Sequence, residues 1–225
     1  MMPPLPKAWF RPMAIVNTLD NAASPLTAVA GFLRGIERRA AVLAELQCGD
    51  QAHGDGALAA AMETFTAEAA ATPQDQWPLL FWSTLLQTPA LNAEPVAPYW
   101  SGDFATLARL DSGTRAVQLL RVVAALDDTL AAAVFGVEPA DFKLALQRGL
   151  PQRADGSLDG EAWLALNDEA RFIIKHMPPD RVASIARLRD AAVAARAADF
   201  APRASALPLP KPRWLGKLWS SVGLT

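Results

Sequence analysis

Lys143 and Gln147 stand four residues apart, a step that sets both on one side of a helix, while Phe142 and Leu146 keep the same step on another side. An ammonium and an amide presented together recognise partners by charge and hydrogen bonding, not by breaking bonds. Just upstream, Gly136 sits where a helix must end and the chain turn sharply, because glycine tolerates a left-handed backbone. Pro139 suits the first turn of the next helix, which has no use for its missing N–H. Asp127 and Asp128 offer capping carboxylates to a helix over Thr129 to Val134. Two short helices joined at a glycine make a helix-turn-helix pattern, with Phe142 and Leu146 inward and Lys143 and Gln147 outward. Nucleic-acid recognition is one use of that pattern, and many all-helical proteins carry it without that use.

Other chemistry finds little support. His53 and His176 stand far apart, and neither has a neighbour at a spacing typical of zinc ligands. His53 is expected in a polar turn and His176 at a helix end. No phosphate-cradling glycine loop, dinucleotide fingerprint or nucleophile elbow occurs, so no cofactor and no enzyme activity are expected. Asp127–Asp128 and Asp168–Glu169 are adjacent acids on helices, where sequence neighbours do not converge on one point.

The elements that position the helix-turn-helix follow from composition and periodicity. The chain has 225 residues, 52% of them hydrophobic, a net charge of −2 and one cysteine, Cys48. That size allows two small domains and an extension. The single cysteine excludes an internal disulfide and suits a reducing cytoplasm. Four prolines by position 12 make residues 1–25 an irregular arm. No apolar run there has signal-peptide character, and no stretch is long enough to span a bilayer, so a cytoplasmic location is expected.

Residues 26–87 read as a helical domain. Val29, Phe32, Leu33, Ile36, Ala40 and Leu43 form a stripe from Leu26 to Gln47, with Arg34, Arg38 and Arg39 mostly off it. Gly49-Asp50 stops this helix, a polar turn over Asp50 to Gly56 follows, and an alanine-rich helix runs from Ala57 to Ala71. Trp77 to Gln87 is the most apolar piece of the chain and is expected as a buried helix. Prolines 89, 95 and 98 mark residues 88–104 as a linker and domain boundary. Residues 105–153 hold the helix-turn-helix, introduced by a long amphipathic helix carrying Val117, Leu120, Val123 and Leu126. Residues 154–198 are expected as a helical hairpin, Glu161 to His176 and Asp180 to Ala198, packing on the helix-turn-helix or on a partner protein. Residues 199–225 form a basic tail with Trp214 and Trp219, suited to an anionic membrane surface, to a partner's groove, or to folding back on the body.

Several strings together resemble a known family. Leu120-Arg121, the alanines Ala131 to Ala133, Gly136-Val137, and then Phe142, Lys143, Leu146 and Arg148 are similar to region 4 of the small, extracytoplasmic-function type of sigma-70 factors. Phe32-Leu33 with Arg38 and Arg39, Met62-Glu63-Thr64-Phe65, and Pro78 to Trp82 followed by Leu85-Leu86 resemble region 2 of the same family, in the same order. The resemblance covers about 120 residues and implies an all-α protein of two helical domains acting in transcription initiation. It implies RNA polymerase core as a partner, docked through Met62, Glu63 and Phe65. It further implies promoter DNA contacts from Lys143, Gln147 and Arg148, with Arg115 and Arg121 near phosphates. The C-terminal extension, which has no counterpart in the family pattern, would serve an anti-sigma or membrane-associated partner.

Departures from the family lie in the charges. Asp141, Leu144 and Ala145 replace the threonine, serine and arginine of the family's last helix. No lysine or arginine occurs between Arg39 and Arg109, where eight acids stand. Such a surface repels phosphates instead of releasing their counterions. Trp77, Phe81 and Trp82 offer stacking faces for a flipped base, but aromatics in so apolar a run are more often core. A sigma-shaped interaction adaptor that has lost DNA binding is therefore the alternative function.

Overall fold

The computed structural model describes residues 25–95 and 98–200; the expected arm before Pro25 and the tail beyond Phe200 lie outside them. The described residues are all-α, with no strand and one isolated bridge between Gln152 and Leu158.

Helix α1 (Pro25–Cys48) buries its expected stripe at Val29, Leu33, Ala40 and Leu43, and leaves Arg34, Arg38 and Arg39 exposed. Gly49 and Asp50 turn the chain into α2 (Gln51–Glu68). The stretch 50–56, expected as a turn, is already helical. The Asp50 carboxylate accepts the backbone N–H of His53 at 2.8 Å, which caps α2 six residues earlier than its alanine run suggested. Gly54 serves close approach here. A Cβ at this position would sit 2.6 Å from the Glu45 backbone nitrogen, so only glycine lets α2 cross α1 this tightly.

Helix α3 (Trp77–Leu86) forms from the apolar run and completes an aromatic core. Phe32, Phe65, Trp77 and Phe81 meet with ring centroids 5.1 to 6.2 Å apart, mostly edge to face. The Trp77 indole N–H is satisfied by the carbonyls of Ala69 and Thr72, so its one polar atom does not oppose burial.

Within 88–104, expected as a linker, residues 88–95 and 98–104 are described, and Leu91, Tyr99 and Trp100 pack against the end of α1 or the turn after it. The segment contains the short helix α4 (Pro89–Asn92), and a 3-10 stretch follows at Gly102–Arg109. Leu91 is buried, the Trp100 indole donates to the Leu46 carbonyl at 2.8 Å, and the Tyr99 amide donates to the Gly49 carbonyl at 2.8 Å. The buried Gln47 amide reaches across to the Leu91 carbonyl and to Ser112, tying α1 to the next helix.

That next helix, α5 (Ser112–Val122), ends sooner than its hydrophobic pattern suggested. The chain breaks at Val123 to Asp127, with Ala125 at φ +56°, before α6 (Asp128–Phe135) and α7 (Pro139–Gly149). Helices α5, α6 and α7 pack on one another as three short members of one head, and α6 also rests on α3.

The C-terminal pair is α8 (Gly160–Lys175) and α9 (Pro179–Phe200). Expected on the helix-turn-helix or on a partner, α9 lies instead along α1 and α2, while α8 crosses α1, α5 and the 3-10 stretch. Ion pairs explain the seat. Arg181 meets Asp55 at 2.5 Å and Glu45 at 3.4 Å, and Arg189 meets Glu37 at 2.8 Å. Buried side chains from every one of these segments join in one contiguous core.

Candidate functional site: the helix-turn-helix and its charged neighbours

Two caps and a turn fix the head. Asp111 accepts from the Thr114 amide at 2.9 Å and its hydroxyl at 2.7 Å, starting α5; these hydrogen bonds hold the Asp111 carboxyl below the usual aspartate range. Asp127 accepts from the Leu130 amide at 2.8 Å, starting α6. Gly136 adopts φ +67° at the end of α6. Its N–H bonds the Ala133 carbonyl at 3.0 Å, and the Val137 N–H bonds the Ala132 carbonyl at 3.1 Å. This pair of bonds satisfies two carbonyls left open at a helix end, and a side chain at Gly136 would be strained there. Pro139 opens α7 in its first turn, and Phe142 is buried against Phe135, with centroids 6.2 Å apart. The Gln118 amide donates to the Gly149 carbonyl and clamps the end of α7 to α5.

The expected DNA-contacting residues separate into three groups. Arg115 is 2% exposed and no phosphate can reach it. Its guanidinium donates to the carbonyls of Leu107, Gln47 and Leu110, and lies 4.5 Å from the Trp100 ring centre. Burial lowers its pKa against the pull of Glu94 and Asp111. Arg115 is a staple between α1, the 3-10 stretch and α5, and its assignment to phosphate contact is corrected. Arg121 and Lys143 remain at the surface, but both face Asp128, at 4.0 and 3.5 Å. Arg121 also donates to the Leu126 carbonyl at 2.7 Å. Gln147 and Arg148 are exposed and uncommitted among the described residues.

The outward side of the head also carries Val137 and Leu144, 43% and 46% exposed, with Glu138, Ala140 and Asp141 between or beside them. Within α7 and its cap, two acids (Glu138, Asp141) offset two bases (Lys143, Arg148). Direct readout needs donors aimed at base edges and cations at phosphates. This face supplies one free arginine and one amide, beside apolar carbon.

Of the expected polymerase-docking residues, Met62 and Phe65 are both 0% exposed and only Glu63 reaches the surface. The first two belong to the core, so docking through them is corrected. Helical spacing accounts for this: positions 58, 61, 62 and 65 share the side of α2 that faces α1 and α3. Trp77, Phe81 and Trp82 are buried as well and present no stacking face.

Other reactive groups are quiet. Burial pushes the Cys48 thiol up to about 11, and its Sγ contacts the Ala90 carbonyl at 3.6 Å, so it is not a nucleophile at neutral pH. His53 stands beside its capping partner Asp50, and the His176 ring lies 4.3 Å from that of Phe172. No group of three or more histidines, cysteines or carboxylates able to hold a metal occurs among the described residues.

Sequence reasoning missed a second charged feature. Arg39, Arg121, Arg171 and Lys175 converge on one cleft between α1, the α5–α6 turn and α8. The four-residue step from Arg171 to Lys175 was its single local signal; the other two cations come from distant elements. Compared with known proteins, the chain matches no family model, no curated protein and no solved structure.

Proposed function

We propose that this chain is a helical interaction adaptor, sigma-like in its order of elements, that uses its helix-turn-helix as a protein-docking head rather than as a reader of DNA. The observation that carries the reading is the outward side of α7. Leu144 is exposed on it and Val137 on the turn that precedes it, Lys143 is drawn to Asp128, and Arg115 is buried. An apolar centre rimmed by charges of both signs fits a protein surface better than a polyanion. The partner proposed from the family resemblance is RNA polymerase core, which places the adaptor in transcription initiation. Because α9 occupies much of α1 and α2, and Met62 and Phe65 are internal, the docking surface is assigned to the head instead of to α2.

The promoter-reading sigma factor is the second reading. It is favoured by the left-handed turn at Gly136 between two short helices, and by exposed Gln147 and Arg148 on the second of them.

One pair of measurements separates them. In the adaptor reading the full chain captures core polymerase, Leu144→Asp abolishes capture without lowering the unfolding midpoint, and a duplex DNA ladder shows no binding at low salt. Duplex binding that weakens steeply with salt and disappears in a Lys143→Ala/Arg148→Ala variant would replace this reading with the second.

A further inference from the structure

The cleft bounded by α1, the α5–α6 turn and α8 has a volume of about 460 Å³, within the range of small-ligand sites. Four of its lining residues are cations, Arg39, Arg121, Arg171 and Lys175, and no carboxylate lines it. In a chain with net charge −2, such a concentration of one sign in a concave site focuses a positive potential. Arg171 and Arg121 meet Asp168 and Asp128 at 3.5 and 4.0 Å, but both acids stand outside the lining. Lys175 has no ion-pair partner among the described residues.

The wall is also preset. Arg39 donates to the Ala124 carbonyl at 3.1 Å and Arg121 to the Leu126 carbonyl at 2.7 Å. Between those two acceptors Ala125 is held at φ +56°, the one non-glycine residue with positive φ among those described, a conformation that costs an L side chain energy. Each guanidinium spends one donor nitrogen on the strained turn; Arg39 keeps the rest of its fork for the cleft, and Arg121, whose Nε lies 4.0 Å from Asp128, keeps its second terminal nitrogen. Trp163 and Asn167 line the same space. The Asn167 amide nitrogen donates to the Trp163 carbonyl at 2.7 Å, which leaves its oxygen to accept from a ligand N–H or O–H.

We propose that this cleft binds a nucleotide carrying two or more phosphates, with the phosphates on the four cations and the base or sugar against Trp163 and Asn167. A bare anion would use the cations alone; the indole and the free amide oxygen select for the nucleoside. The site is separate from the outward side of α7 and does not depend on what that side contacts.

Titration calorimetry of the full chain at low salt tests it, with ADP, GDP and pyrophosphate as the probes. ADP or GDP is expected to bind at least about tenfold more tightly than pyrophosphate, a difference of about 1.4 kcal/mol. Lys175→Glu and Arg171→Glu, both at exposed positions, are each expected to weaken nucleotide binding by about tenfold or more with the helical circular-dichroism signal unchanged. Absence of binding by either nucleotide, pyrophosphate binding as well as they do, or unchanged affinity in the two folded variants would each overturn the assignment.

Discussion

The seam between α9 and the α1–α2 pair and the outward side of α7 treat charge in opposite ways. At the seam, charge is taken inside. Arg189 and Glu37 are 8% and 6% exposed, and one guanidinium nitrogen reaches both carboxylate oxygens, at 3.0 and 2.8 Å. Burial raises the Glu37 carboxyl despite that partner, whereas the hydrogen bonds and charges of Asp190 and Glu37 outweigh burial and raise Arg189. On the outward side of α7, the charges stay at the surface, balance one another, and leave Leu144 uncovered. A closed seam fixes where α9 lies, since an ion pair out of register would strand two desolvated charges. An open patch, balanced in charge and carrying exposed Leu144, fixes nothing among the described residues.

Three perturbations probe that contrast, from the strongest to the weakest. Phe65→Ala removes the ring at the centre of the aromatic cluster and is expected to lower stability by about 3–5 kcal/mol in urea unfolding. If Phe65 were a docking residue, the variant would lose partner capture at unchanged stability. Arg189→Met strands Glu37 at the seam and is expected to cost about 3 kcal/mol, most of which Arg189→Met/Glu37→Leu should recover. A double variant no more stable than the single would show that the loss comes from the missing arginine itself and not from a stranded Glu37. Asp111→Ala, on the head, is expected to cost only about 1 kcal/mol at neutral pH.

The Asp111 effect carries a pH signature. The carboxyl is depressed in the folded chain, so its contribution is complete above the ordinary aspartate pKa of about 3.9 and is lost as pH falls through the lower folded value. The gap between wild type and Asp111→Ala should therefore be full at about pH 7 and narrow progressively as pH falls below the ordinary aspartate range. A gap that persists in acid would mean the side chain acts by something other than its charge.

Much of the head was legible from local signals. Gly136, Pro139, Asp127 and the Phe142–Leu146 pair are short-range devices whose chemistry works within a few residues, so they read directly from the string. The end of α5 was not legible, because Val123 and Leu126 continue the apolar period. The chain leaves the helix there while keeping both side chains buried. Asp50 was misjudged for a related reason: its glycine-bearing neighbours resemble a turn, yet one cap bond and the cover of α1 are enough to start α2 there.

By itself, the sequence determined the all-α class, most helix positions, and the turn of the helix-turn-helix, since helical period, caps and breakers act over one or two turns. Only the tertiary structure decided which charges are internal, which are matched and which gather. Arg115 and Arg148 are the same residue type on helices of one head, yet one is sealed under Trp100 and the other faces solvent. Burial and pairing depend on partners tens of residues away: Gln47 for Arg115, Glu37 for Arg189, and Arg39 beside Lys175 in the cleft. Desolvation and Coulomb energy act through space, and the order of residues along the chain does not report those distances.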